Sequence, residues 1–172
     1  MTVIDTSILI SLAKINCLEI ILNLKSELSI PEEVYGESVF EGEKRDLPDA
    51  TLIKSFITGN NIRIVKVKSS TIKTLTSKIK KILPQGDKAV LSLALQEKTT
   101  EIITDDEGLS KIALSLGFRV SASPDLLLQS LKKGFVRFQE FEKHIRNLVL
   151  ENRLGSVVAE LYIVEAKKDV KS

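Results

Sequence analysis

Acidic side chains stand in this sequence where an α/β chain can use them for chemistry. Asp5 follows the apolar run Val3-Ile4, Asp87 follows Gly86 at the head of an apolar-periodic stretch, and Asp105-Asp106 follow Ile102-Ile103-Thr104. Glu33 and Glu37 lie one turn apart on a segment opened by Pro31. Carboxylates that converge without histidine or cysteine form an all-oxygen site, which suits Mg²⁺ or Mn²⁺ rather than zinc. Such ions serve phosphodiester hydrolysis, one acidifying the attacking water and a second stabilising the leaving oxygen. The competing explanation is structural, because helix N-termini attract aspartate through capping and the helix dipole. Capping accounts for any one of these residues, but poorly for the combination, since Asp5 also ends a strand.

The elements that must position these groups alternate strand and helix, the pattern of an α/β fold with a mainly parallel sheet. Strands are expected at Thr2 to Asp5, Leu28 to Ile30, Ile62 to Val67, Ile102 to Thr104 and Phe118 to Ser121. Helices are expected at Ser7 to Lys14, Leu18 to Lys25, from Pro31 as a first helical position, and at Leu47 to Thr58. Further helices are expected along Ile72, Leu75, Ile79 and Ile82, from Asp87 to Gln96, after Asp106, and from Asp125 to Lys132 with Ser123-Pro124 as cap and first turn. In open parallel sheets ligands bind outside the carboxyl ends of the strands, so Asp5 and Asp105-Asp106 should share one sheet edge. From Phe135 onward the pattern is only helical, with Phe138, Phe141, Ile145 and Leu148 as a stripe that reads as core, or else as a face for a partner.

With 172 residues and 43 % hydrophobic content, the chain suits one compact unit with a real core. One cysteine, Cys17, excludes an internal disulfide and any CxxC site, and reads as a small buried filler. One histidine, His144, reads as a boundary residue and leaves little room for a histidine-based zinc site or a Ser-His-Asp triad. The first residues lack a basic region and a cleavage site, and no apolar run is long enough to span a bilayer. The expectation is a cytoplasmic protein with no membrane partner.

Four segments, Val3-Ile4-Asp5-Thr6-Ser7, Ile30-Pro31-Glu32-Glu33-Val34-Tyr35-Gly36-Glu37, Gly86-Asp87-Lys88-Ala89 and Ile103-Thr104-Asp105-Asp106, resemble in order and spacing the acidic motifs of PIN-domain nucleases. The match covers roughly Met1 to Leu128. Lys133-Gly134-Phe135 and the helices after it resemble the tail of one prokaryotic PIN branch. The resemblance implies a three-layer αβα, Rossmann-like sandwich at residues 1–134 with a C-terminal helical extension, 135–172, packed on it. It implies a Mg²⁺ or Mn²⁺ site and cleavage of single-stranded RNA. VapC toxins belong to this superfamily, so a cognate antitoxin and a homodimer are implied as partners. Residue by residue, it makes Asp5, Glu37, Asp87 and Asp106 the catalytic acids, with Asp5, Asp87, Asp106 and Asp105 around the metal. Its Thr-x-Asp pattern selects Asp106 over Asp105, and the reverse assignment stays open. Thr6, Ser7 and Thr104 fall where the family carries supporting hydroxyls, or serve ordinary capping. Ser110 stands where related sequences carry an arginine, with Lys111 beside it.

The net charge of +2 hides an asymmetry: the stretch between Asp49 and Asp87 holds eight cations and no acid, leaving −6 for the remainder. Lys73, Lys78, Lys80 and Lys81 in that stretch, with Lys111, are candidate contacts to an RNA backbone, or else one solvated face. Two other readings compete with an active nuclease. A degenerate PIN domain would bind RNA or protein without cutting, although all four acidic positions are filled. A doubly wound phosphoacceptor or ligand-binding module would use Asp5 with Asp105-Asp106 and leave Glu37 and Asp87 without a job. A haloacid-dehalogenase phosphotransferase needs a second aspartate where Ser7 stands. A receiver domain needs a lysine where Ser121-Ala122-Ser123 offers none.

Overall fold

The computed structural model describes residues 1–79 and 82–170. Five short strands, β1 (Thr2–Ile4), β2 (Leu28–Pro31), β3 (Arg63–Val65), β4 (Glu101–Ile103) and β5 (Arg119–Ser121), form one sheet in the order β3-β2-β1-β4-β5, every pair parallel. The central strands are mostly apolar, and Val3, Ile4, Ile102 and Ile103 are completely buried, as a sheet covered on both faces requires. The edge strands begin with the exposed Arg63 and Arg119.

Between the strands run α1 (Thr6–Lys14), α2 (Glu32–Tyr35), α3 (Glu41–Lys44), α4 (Pro48–Gly59), α5 (Ser69–Lys78), α6 (Gln85–Gln96) and α7 (Glu107–Ser115). Helix α1 packs on α4 and α8 (Ser123–Lys132), while α5 and α6 pack on each other, giving the helix–sheet–helix layering that right-handed crossovers produce. From β1 the chain winds outward to β2 and β3, then returns to β4 on the other side of β1. The order therefore reverses between β1 and β4. A crevice opens at such a switch point, outside the carboxyl ends of the two strands.

The C-terminal pair, α9 (Phe138–Leu150) and α10 (Ser156–Val170), packs on α8. Phe141, Ile145 and Leu148 are buried there against Ala159, Ile163 and Ala166, so the aromatic stripe is core rather than a free face. No described helix is long and apolar enough to cross a membrane.

Several elements differ from the sequence-based expectation. Leu18–Leu24 is a 3₁₀ helix, stopped by Lys25 in the left-handed region at φ 50°. Pro31 ends β2 and caps α2 instead of opening it. Ile62 and Val67 fall outside β3, which has a neighbour only on the β2 side. Helix α5 stops at Lys78, and Ile82, expected on its apolar stripe, is 94 % exposed. Asp87 does not open α6 but is its third residue, because Pro84 caps the helix and Gln85 begins it. Ala122, not Ser123, precedes α8, and its backbone N–H donates to Asp125.

Candidate metal centre

The register of the two central strands builds the first part of the site. Ile4 sits opposite Ile103, so Asp5 and Thr104 leave the sheet side by side, joined by the Asp5 N–H donating to the Ile103 carbonyl at 3.1 Å. Asp5 caps α1, and its Oδ2 accepts from the Ser7 N–H at 3.2 Å, from the Ser7 hydroxyl, and from the Thr104 hydroxyl at 2.7 Å. These three donors all fall on one oxygen and leave Oδ1 without a share in them. The carboxylate is thereby locked in one orientation although it is only 5 % exposed.

Asp105 and Asp106 are neighbours with different work. Asp106 caps α7, its Oδ1 accepting from the Leu109 N–H at 2.6 Å, while its own N–H donates to Thr104 at 3.0 Å. Asp105 gives both oxygens to Ser123, accepting from its N–H at 2.7 Å and its hydroxyl at 2.6 Å. That pair fastens the loop after β4 to the start of α8. Ser7 completes the junction by accepting from the Asp105 N–H at 2.8 Å.

Glu37 arrives by a less regular route. Helices α2 and α3 are joined through a π turn at Gly36–Phe40, a local widening often met at functional sites. Glu37 lies in it and accepts from the Thr6 hydroxyl at 2.9 Å. Its carboxylate rests on Gly86, where a Cβ atom would stand 2.7 Å from Oε1 and 2.8 Å from Oε2. The next residue is Asp87, so this glycine lets the two acids approach.

Asp87 senses the rest of the group. Its carboxyl is pushed up to about 6, first by burial and then by the charges of Asp106, Asp5 and Glu37. Asp105 and Glu33 are not among the charges that act on it. Among the described residues, no three Asp, Glu, His or Cys groups stand close enough to grip one ion directly. Asp87 thus feels the other three acids without their forming a closed cage. That donor set fits Mg²⁺ or Mn²⁺, hard ions that keep part of their hydration shell on a few carboxylates.

The shifted carboxyl carries a stability consequence. Asp87 holds its proton more tightly folded than at the ordinary 3.8, so its contribution favours folding below about pH 4 and is lost as pH rises through about 6. In EDTA at about pH 8, Asp87→Asn should melt higher than wild type, by on the order of 2 °C after allowance for solvent screening. At about pH 4 the difference should vanish. Mn²⁺ should raise the melting temperature of wild type more than that of the variant. A variant that melts lower than wild type at about pH 8 in EDTA would argue that Asp87 is not crowded by like charge.

The expected basic residues distribute less tidily. Lys73 and Lys78 lie exposed on α5, whose last turn is joined by a short connection to the first turn of α6, where Asp87 sits. Lys80 and Lys81 lie outside the described residues. Lys111 is paired with Glu107 on α7. Cys17 is buried, its thiol pushed up to about 12 by burial, and half-buried His144 is held below its usual range, mainly by burial.

Three contributors escape a reading of the sequence. Ser123 reads as a helix cap but binds Asp105, and Gly86 reads as a helix breaker but seats Glu37. Arg153, in the turn between α9 and α10, donates to the Ser7 carbonyl at 3.0 Å and to the Ser11 hydroxyl at 2.9 Å. It ties the C-terminal pair to the helix that carries Asp5. Nothing in the spacing near Arg153 signals this, because its partners are 142 and 146 residues away.

A parallel sheet between helices, with oxygen-only acids gathered at its switch point, defines a nuclease-like α/β protein. The chain belongs to the PIN-domain family: the family model DUF3368, a PIN domain, matches residues 1–166. PIN domains are generally nucleases and typically use divalent metals. No curated protein and no solved structure matches the chain.

Proposed function

We propose that this chain is an endoribonuclease that cuts single-stranded RNA with Mg²⁺ or Mn²⁺. The observation that carries the reading is the gathering of four carboxylates from separate elements at the sheet's switch point: Asp5 after β1, Glu37 against Gly86, and Asp87 and Asp106 at the heads of α6 and α7, with the Asp87 carboxyl raised by burial and by the other three charges. A fold has little reason to gather four carboxylates without a cation to balance them. Asp5, Asp87 and Asp106 would hold the ion, with Glu37, seated against Gly86, as the fourth acid beside Asp87. When bound, the ion supplies Lewis acidity toward phosphate and water. The chain's own hydroxyls then matter for aim: Ser7 and Thr104 fix Asp5, and Thr6 fixes Glu37. The role of a toxin held in check by an antitoxin is a finer form of this proposal, and inhibition of cleavage by the product of an adjacent gene is its test.

Purified protein with Mn²⁺ or Mg²⁺ should cut single-stranded RNA internally, and EDTA should stop it. Cleavage that survives EDTA would exclude this mechanism. The lysines of α5 are the proposed backbone contacts, so Lys73→Gln with Lys78→Gln should weaken RNA binding and flatten its salt dependence. Each lost phosphate contact lowers the slope of log affinity against log salt by about 0.7 on single strands. Cleavage at saturating RNA should change much less. An unaltered slope would return both lysines to the role of a solvated face.

A further inference from the structure

A cleft of about 550 Å³ opens beside Glu37, lined among others by Glu33, Phe40, Lys44 and Gln85. It adjoins the acidic cluster on one side, since Glu37 belongs to both and Gln85 precedes the Gly86-Asp87 pair. Phe40 is 52 % exposed at this wall. Exposed phenylalanine is common enough singly, but this ring is held in place. It stands perpendicular to Tyr35 with ring centroids 5.2 Å apart, and it closes the same π turn that presents Glu37. The ring and the acid therefore sit on one rigid stretch of backbone, three residues apart.

The rim of the cleft says what it can accept. Glu33, Glu37, Glu41 and Glu43 outnumber Lys44, and two of these acids are already neutralised, Glu41 by Lys44 at 2.6 Å and Glu43 by Lys54 at 2.8 Å. A phosphate would be repelled by what remains. A neutral, flat group rich in N–H donors would not be. A nucleobase has this character, offering a π face to an aromatic ring and N–H donors to carboxylate oxygens. The cleft is large enough for a base and its sugar.

We propose that Phe40 is a stacking platform for one nucleobase of the RNA strand, next to the bond that is cut. The inference rests on the nuclease reading and extends it by assigning a base-binding subsite. The α5 lysines hold the backbone by charge, and Phe40 holds one unstacked base. The subsite requires a single-stranded substrate, because a paired base cannot present its face to the ring.

The sequence contains no tryptophan, so Phe40→Trp places a single tryptophan at the subsite, excited selectively over the two tyrosines. In an Asp106→Asn background with Mg²⁺, a single-stranded RNA oligonucleotide should quench that tryptophan, and the duplex of the same sequence should quench it far less. Phe135→Trp, at a ring 47 % exposed after α8, is the control and should not respond. Phe40→Ala in the otherwise wild-type chain should raise KM for RNA roughly tenfold, within the range seen for losing one stacked base, while kcat changes little. Phe40→Tyr should restore KM. RNA that binds without quenching, or with equal affinity for Phe40→Ala, would overturn the subsite and leave the nuclease reading standing. Quenching without cleavage by the wild type would keep the subsite and overturn the nuclease reading. Absence of any RNA binding overturns both.

Discussion

Asp5→Asn and Asp106→Asn should each lose RNA cleavage by roughly a hundredfold or more, the scale of removing a key electrostatic element, with melting temperatures near wild type. Asparagine preserves the local structure at both places. At position 5 its carbonyl oxygen still accepts from Ser7 and Thr104, and at position 106 it remains a good N-cap for α7. What disappears is the negative charge that a divalent ion would meet. Asp105→Asn should show the opposite pattern. Its two oxygens accept from the Ser123 N–H and hydroxyl; asparagine keeps the first bond through its carbonyl and reverses the second, its amide donating to the Ser123 oxygen, so two charge-assisted bonds become neutral ones. Stability should fall by about 1–2 kcal/mol while cleavage falls much less than in Asp106→Asn. Cleavage assays on the three variants, read beside thermal melts, check the assignment. Greater loss of activity at Asp105 than at Asp106 would exchange their roles.

That contrast marks where the sequence stops being informative. The pattern Thr104-Asp105-Asp106 announces two acids after a strand, and the strand's place beside β1 follows from α/β patterning. Which acid turns toward the site depends on Ser123, eighteen residues on, whose hydroxyl happens to face Asp105. Short-range rules read Ser123-Pro124 as a helix start, and the helix does start there, one residue from the expected cap. The hydroxyls of Thr6, Ser7 and Thr104 were ambiguous between capping and support. Ser7 and Thr104 support the acid, both hydroxyls donating to Asp5, and Thr104 also makes a turn bond by accepting from the Asp106 N–H, while the capping side chain is that of Asp5 itself. Periodicity also located Glu37 on a helix without showing the π turn that rotates it toward Gly86. A π turn adds one residue to the turn and leaves no trace in apolar spacing over so short a helix. The stripe through Phe141, Ile145 and Leu148 was readable because three buried positions at helical spacing admit few explanations.

Gly86→Ala should separate activity from stability. Gly86 is the second residue of α6, and its backbone lies outside the left-handed region that only glycine adopts easily, so alanine fits the chain itself. Alanine is the better helix former by about 1 kcal/mol, which offsets part of any packing loss. The new methyl group, however, would stand 2.7 Å from the Glu37 Oε1 atom and 3.1 Å from its Cδ. The obstacle is the far end of a flexible side chain, so Glu37 moves and the backbone stays. Its carboxylate then leaves the place beside Asp87 and strains the 2.9 Å bond from Thr6. Misplacement of a reacting group by about 1 Å costs up to a hundredfold in rate, so kcat should fall at least tenfold, with a melting temperature at or above that of wild type. Thr6→Val, which removes the donor but adds no bulk at Gly86, should lower kcat less. Wild-type kcat in Gly86→Ala would show that the position of the Glu37 carboxylate is immaterial to cleavage. A large drop in melting temperature would instead place the role of Gly86 in packing α6 against the sheet.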